Sequence, residues 1–336
     1  LHSFPTRRSS DLYILAPFII IFITLFFGRY SVNFSEVVGT LFYRLEYFEK
    51  PSQEVMTIIF QLRLPRAIAG AFVGAALAVS GVAFQGVFRN PLVNSGILGV
   101  SNGAGFGAAL SIVFLGGGYY TYLFSFVFGI IAVLLSYFSG RIYGSTPTVT
   151  LILGGVIVSS FFSALTSILK YIADPYTQLP AITFWFMGSL ASIGYKQFIA
   201  FIPMSIGMFL IFISRWKINA LSMGEKEATA LGVDTKFYKV LIIGGATLAT
   251  SSAVCISGTI GWIGLIIPHI GRMIVGNDNS KLIPISLSIG ACFLVLMDLI
   301  SRVISASEVP IGILTAIIGT PFFVYLLKKT KGGGWM

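Results

Sequence analysis

The stretch LRLPRAIAGAFVGAALAVSGVAFQGVFRNPLVNSGILG, residues 62–99, decides what kind of protein this is. From Leu64 to Phe88 it holds a single charge, Arg66, in 25 positions. A helix of that length, at about 1.5 Å per residue, outspans a hydrocarbon core roughly 30 Å thick. Glycine and alanine recur through it, and the run then breaks at NPLVNSGILG, residues 90–99.

The same pattern repeats outward in both directions. Apolar runs between polar breaks fall near 12–28, 64–88, 97–115, 119–138, 149–173, 197–214, 237–257, 260–275, 282–304 and 311–327. The eighth is short and interrupted. The chain is 56% hydrophobic and only 10% charged, where soluble domains carry about 25% charge. These features predict an all-α, polytopic membrane protein of about ten transmembrane helices. No train of short alternating segments suggests a membrane barrel.

Charge marks where such a chain meets water. The net charge of +10 fits loops facing anionic headgroups. No basic stripe interleaved with exposed aromatics argues for nucleic acid. With an N-terminus in the cytoplasm, twelve basic residues fall inside: Arg89, Arg141, five in 215–239, Arg272, Lys281 and three at the C-terminus. Eight fall outside: Arg29, Arg44, Lys50, Arg63, Arg66, Lys170, Lys196 and Arg302. The asymmetry favours both termini in the cytoplasm. Cys255 and Cys292 both lie in apolar runs, so neither a disulfide framework nor a metal site is expected. Residues 1–11, within LHSFPTRRSSDL, are polar, start with Leu and lack a signal-peptide core. We expect them to be foreign or truncated, with one membrane domain over 12–330.

One internal stretch departs from the rest. RWKINALSMGEKEATALGVDTKFYKV, residues 215–240, gathers eight of the 34 charged residues. SMGE, 222–225, reads as a capping box, Ser222 the N-cap and Glu225 its partner. Ala228 and Leu231 share a face, and Gly232 suits a left-handed helix end. A short helix over 223–231, after a small turn at 218–221, is predicted in water between two spans. A plain connector needs no capped helix with small apolar residues. A docking surface does.

Clustered glycines, such as Gly70, Gly74 and Gly81, let helices approach closely in lipid. Two other clusters, NPLVNSGILG and GTIGWIGLIIPHIGR (258–272), look like backbone breaks at membrane depth. Such breaks survive where protein or a water-filled cavity surrounds them. They are common around transport pathways.

LRLPR (62–66), GAALAVSGVAFQGVFRNPL (74–92), LGVSNGAGFG (98–107), WFMGSL (185–190), ALSMGEKEATALGV (220–233), GTIGWIGLIIPHIGR (258–272) and DLISRVISASEVPIGILTAIIGTPFF (298–323) occur in this order. Together they resemble the FecCD-type permease subunits of bacterial ABC importers for iron–siderophore complexes, haem and vitamin B12. The resemblance covers about residues 12–328. It implies the type II ABC importer fold in the bacterial inner membrane. It also implies a second permease subunit, identical or paralogous, two ATPase subunits and a soluble substrate-binding protein. An iron–siderophore chelate is the leading cargo, with haem or vitamin B12 as the alternative.

By resemblance, the charged stretch at about 217–236 is the coupling element: Ala220, Leu221, Ser222, Gly224, Glu225, Glu227, Ala228, Leu231 and Gly232. No GxxxxGK[ST] loop occurs in the chain. ATP and Mg therefore belong to the partner ATPase, and the chain is expected to bind no cofactor and catalyse no reaction itself. Arg63, Arg66 and Arg302 are the implied docking arginines for the binding protein. The translocation path is implied at Gly81, Gln85, Asn90, Pro91, Gly99, Asn102 and Thr148. Val93, Ser95 and Trp262 depart from the family pattern without removing a charge or a glycine.

Local readings compete with some of these roles. Arg302 sits four residues after Asp298, in the favourable order for an intrahelical pair. Arg63 and Arg66 suit headgroup anchoring. His269 and Arg272 follow Pro268 and read as a helix stop with a cytoplasmic cation. An ion-coupled secondary transporter is the rival class, and it would want buried acids of which Asp298 is nearly the only one. An intramembrane enzyme lacks HExxH, and His2 and His269 are the only histidines to serve a Ser–His or di-His site.

Overall fold

The computed structural model describes residues 7–43, 51–141, 147–305 and 307–329. Arg44, Lys50, Lys331 and residues 1–6 of the expected foreign segment lie outside them. All regular structure among the described residues is helical. The elements are α1 Arg7–Thr24, α2 Phe34–Phe42, α3 Gln53–Phe88, α4 Val100–Leu115, α5 Tyr119–Ser139, α6 Thr148–Ile172, α7 Gln178–Met187 and α8 Tyr195–Ile213. There follow α9 Arg215–Met223, α10 Glu225–Ala230, α11 Thr235–Ser257, α12 Ile263–Val275, α13 Asn279–Ile304 and α14 Ile311–Lys329. Six of these, α3, α5, α6, α8, α11 and α13, are long and apolar enough to cross a membrane. Shorter apolar helices occupy the four remaining expected positions, in α1, α4, α12 and α14.

One helix begins where the sequence did not suggest, and another runs on through a proline that read as a stop. α3 starts at Gln53 rather than Leu64, with Ser52 accepting from the Val55 N–H at 3.3 Å. Its residues Ile58–Arg63 form a π-helical turn just before Pro65. Proline has no N–H to donate, and a widened turn absorbs the missing bond without breaking the helix. α12 likewise runs through Pro268 to Val275, so His269 and Arg272 lie within a helix rather than beyond a stop.

α3 and α11 are almost wholly enclosed, whereas α8 exposes most of its surface. What surrounds α3 can do so because small residues face each other. A side chain on Gly74 would run into the Gly290 carbonyl of α13, and one on Gly81 into Gly264 of α12. Without an inside–outside hydrophobic gradient in lipid, this backbone approach and its van der Waals contact carry the packing. α4, α5 and α6 pack on one another in the same way, Gly103 and Gly107 lying against backbone carbonyls of α5.

Three of the sequence motifs meet in one knot. Gly188, in the left-handed region at φ 71°, follows α7. The Ser189 N–H donates to Ser257 O at 2.8 Å, and the Ile311 N–H to Gly188 O at 2.9 Å. The end of α11 and the start of α14 are thereby tied to WFMGSL. Trp262, also at positive φ (70°), lays its ring against Gly319 of α14.

Replacing Gly74 with Leu should lower thermal stability in detergent and disperse the size-exclusion peak, since overpacking costs about 1–3 kcal/mol or more where backbone blocks the new atoms. Gly244→Ala, where nothing lies within 4 Å, should leave both unchanged.

Candidate docking face, coupling element and pathway

The three arginines singled out from the sequence do not stand free. Arg63 is 5% exposed. Its guanidinium donates to Leu25 O at 2.6 Å and to Tyr30 O, closing the end of α1 and the turn after it. Arg66 Nε donates to Asp298 Oδ1 at 2.7 Å, and its Nη2 pairs with Glu308 Oε2 at 2.9 Å. Arg302 Nε lies 3.2 Å from the other Asp298 oxygen. Asp298 is completely buried and therefore shared between α3 and its own helix. The intrahelical pair expected from spacing exists, but as half of a cross-helix bridge.

Glu308 completes the cluster from the loop after α13. It sits in the left-handed region, φ 54°, and also faces Arg29 at 3.8 Å. Partial burial would raise its carboxyl, but contact with Arg66 and the charges of Arg66, Arg29 and Arg302 hold it below the ordinary carboxylate range. Arg302 Nη2 is buried with no hydrogen-bond acceptor among the described residues.

The charged segment forms two short helices, α9 and α10, broken at Gly224 (φ 141°). The expected capping box is absent. Ser222 lies inside α9 and donates to Asn219 O at 2.7 Å, while Glu225 instead pairs with Lys239 of α11. Gly232 does take the left-handed helix end, φ 75°. The Val233 N–H then reaches back to Ala228 O at 3.0 Å, and buried Val233 and Ala228 close the turn. Ile218, Leu221, Ala228 and Val233 belong to the inner half of the core. Ile218 lies on Gly86 of α3.

A further anchor left no mark in the sequence pattern. Asn219 Nδ2 donates to Asp278 Oδ1 at 2.7 Å, and Asn219 Oδ1 accepts from the Asn279 N–H at 2.8 Å. Burial pushes the Asp278 carboxyl up, but bonds from Ser280 and Asn219 and the charge of Lys281 outweigh it, leaving a lowered pKa. What these anchors leave outward includes Ser222, Met223, Glu225, Lys226, Glu227, Thr229, Ala230, Leu231 and Gly232. Ala220 is half-buried behind them.

The expected pathway residues divide. Gly81 is buried in the α3–α12 contact. Gln85, 3% exposed, is a brace: its amide donates to Val93 O and Gly264 O at 3.0 and 3.1 Å and accepts from Arg272 at 2.6 Å. Asn90 forms a turn with the Leu92 N–H at 2.9 Å, next to half-buried Pro91. Gly99, left-handed at φ 82°, starts α4. Asn102 donates to Ser159 O at 3.2 Å. It shares a groove of about 670 Å³ with Asn94, Ser159, Ser160, Ser163 and Ser167. Thr148, the first residue of α6, sits about 12 Å along the helix from Val156 at the groove's edge. The serine stripe of α6 is what sequence reading missed. Its spacing of three and four residues was the available signal.

A buried cross-helix arginine–aspartate bridge, two anchored helices between spans and a polar groove at a broken helix now stand together. Residues 15–329 match the model of the FecCD transport family. The chain belongs to that family.

Among FecCD relatives, the molybdate import permease MolB of Haemophilus influenzae is 41% identical over 314 residues, covering 93% of each chain. An iron chelatin permease of Helicobacter pylori is 37% identical over 321 residues, 95% of this chain and 97% of that one. The cobalamin import permease BtuC of Halobacterium salinarum is 38% identical over 285 residues, 83% and 75%. A solved inward-facing structure of a metal-chelate type ABC transporter superposes with a TM-score of 0.84 at 38% identity, covering 96% of this chain and all of that one. This FecCD chain thus has the permease fold of ABC importers and is a multi-pass membrane protein. Asp298, held by two arginines, offers little to the ion-coupled alternative.

Asp298→Ala should cost about 3–5 kcal/mol by leaving buried Arg302 without its carboxylate and Arg66 with Glu308 alone, seen as a large drop in melting temperature. The Glu308–Arg66 link should persist at neutral pH. Because the folded carboxyl titrates below its unfolded value, the link's contribution is lost as pH falls through that lowered value. Acid titration followed by protease access to the 305–311 loop reads this, and Glu308→Gln should abolish the transition.

Proposed function

We propose that the chain is the membrane permease of an ATP-driven importer in a bacterial cytoplasmic membrane, with both termini in the cytoplasm. The observation that carries this reading is the α9–α10 element. It buries four apolar side chains in the permease core yet leaves Met223 and Leu231, each 63% exposed, outward among charges. Met223 and Leu231 lie outside the apolar spans, so lipid is not their cover. A partner ATPase carrying ATP and Mg, two copies per transporter, fits them. Two permease subunits, identical or paralogous, would frame the pathway by alternating access.

The groove's hydroxyls and amides both donate and accept hydrogen bonds. They suit a cargo with an oxygen-rich surface around a metal: an iron–siderophore chelate, as the narrower reading, with haem or vitamin B12 as its alternative. The names of the relatives span molybdate, iron chelatin and cobalamin, all within this broader class. Within the chain we assign the path to the α6 serines with Asn94 and Asn102, leaving Gly81 and Gln85 as supports.

Docking of a soluble binding protein would use the outer cluster. Glu308 already supplies Arg66 with a carboxylate, so a partner's acid must take its place or add to it at Arg302 Nη2. Arg guanidinium recognises carboxylates in a fixed fork geometry.

The test is reconstitution. Vesicles containing the permease with its ATPase should take up cargo on adding ATP and binding protein; uptake at the same rate by the permease alone would overturn the assignment. Arg66→Glu should abolish binding-protein association. Glu308→Gln should tighten it, by about 10-fold if one ionic competitor is removed.

A further inference from the structure

The inner end of α3 closes on an arginine where a glycine would sit more easily. The Asn90 N–H donates to Gln85 O at 3.2 Å and the Arg89 N–H to Gly86 O at 3.4 Å, the paired bonds of a Schellman helix end. That end puts Arg89 in the left-handed region, φ 50° and ψ 39°, where a Cβ crowds the following carbonyl and glycine is the usual occupant. A cation does favour a helix C-terminus, yet the other positions of the last turn offer that benefit without left-handed backbone. The strain points to a use for the Arg89 side chain itself.

That side chain, on an exposed residue, reaches the break between α9 and α10. A Cβ on Gly224 would stand 3.5 Å from Arg89 Nη1, and it would run into the Glu227 carboxylate. A guanidinium from the end of α3 and a carboxylate from the first turn of α10 therefore share one side of Gly224. The neighbouring acid, Glu225, is held by Lys239. Among the described residues neither Arg89 nor Glu227 closes an ion pair. Gly86, three residues before Arg89, takes Ile218 of α9. The end of α3 thus meets α9 through an apolar contact and faces α10 with a charged one.

We propose that Arg89 is a positioning residue of the coupling element, engaging Glu227 across Gly224 and so setting the angle of α10 on α9; this rests on the proposed reading of α9–α10 as the element an ATPase grips. Only side-chain rotation is needed to close the pair, because both backbones are already fixed. Arg89 is held by its Schellman bonds, and Glu227 by α10, whose Ala228 N–H donates to Gly224 O at 2.9 Å. A guanidinium fork holds a carboxylate in one orientation, which a lysine ammonium does not. With the clasp closed, a push on α10 reaches the end of α3 instead of bending the chain at Gly224.

Hydrogen exchange over residues 225–233 of the permease alone tests the clasp without an ATPase, since the Ala228, Leu231, Gly232 and Val233 amides are all bonded there. Arg89→Gly keeps the left-handed backbone and removes the guanidinium. It should speed this exchange about fivefold, the upper range for one exposed ion pair, without lowering the melting temperature. Glu227→Gln should act alike, the double variant no more than either single one, and Arg89→Lys should restore only part of the protection. In the assembled transporter, Arg89→Gly should lower the cargo moved per ATP hydrolysed while the ATPase subunits stay bound. Unchanged exchange in Arg89→Gly, additive effects in the double variant, or an unaltered ratio of cargo to ATP would each overturn the proposal. Faster exchange in Arg89→Gly beside a wild type that shows no ATP-driven uptake would support the clasp and overturn the coupling reading instead.

Discussion

Polar groups on a helix at hydrocarbon depth must find their partners inside the protein, and α3 does so at both of its ends. At the outer end Arg66 meets Asp298 of α13. At the inner end Gln85 joins the 89–99 turn to α12 through three hydrogen bonds. Between them lie the glycine contacts with α12 and α13 that leave no room for side chains. A helix clamped at both ends and packed backbone to backbone between them moves as one piece or not at all.

That constraint connects the two surfaces proposed for docking and for coupling. Arg66 lies in the outer half of α3, between three and four turns from Gln53, and Gly86, which packs on Ile218 of the proposed coupling element, lies within one turn of the inner end. About 30 Å of continuous helix separates them. Under the proposed function, force at the coupling element and occupancy at the outer cluster are linked through a strut rather than through a chain of flexible loops. The α4–α5–α6 group is joined to the strut by the irregular 89–99 segment and by α11. The serine groove opens along that seam, where α6 faces Asn94 and Asn102.

The ten apolar spans were legible because burial in lipid writes long runs into a sequence. The family was legible because its motifs are contiguous. What stayed hidden were pairings across long separations: Arg66 with Asp298, 232 residues away, looked like a free docking arginine because only the i,i+4 partner of Asp298 was visible. Gln85 looked like pathway for the same reason, a polar residue in a membrane run whose partners lie on other helices. Ser222 and Glu225 had the spacing of a capping box, yet Gly224 breaks the chain between them and Lys239 supplies a stronger partner for the acid. α7, only ten residues, fell below the length that periodicity can assign. Gly232, whose role is local backbone geometry, read correctly.

The central claim of the proposed function is that α3 and the coupling element move as a unit while α6 moves against them. Electron–electron distance measurements on spin labels at Lys226 and Ser307, and separately at Ser163 and Ser307, in the assembled transporter with and without nucleotide test it directly. The account predicts one unchanged distance distribution for the first pair and a shifted one for the second. A shift in the Lys226–Ser307 distance with the Ser163–Ser307 distance constant would contradict it.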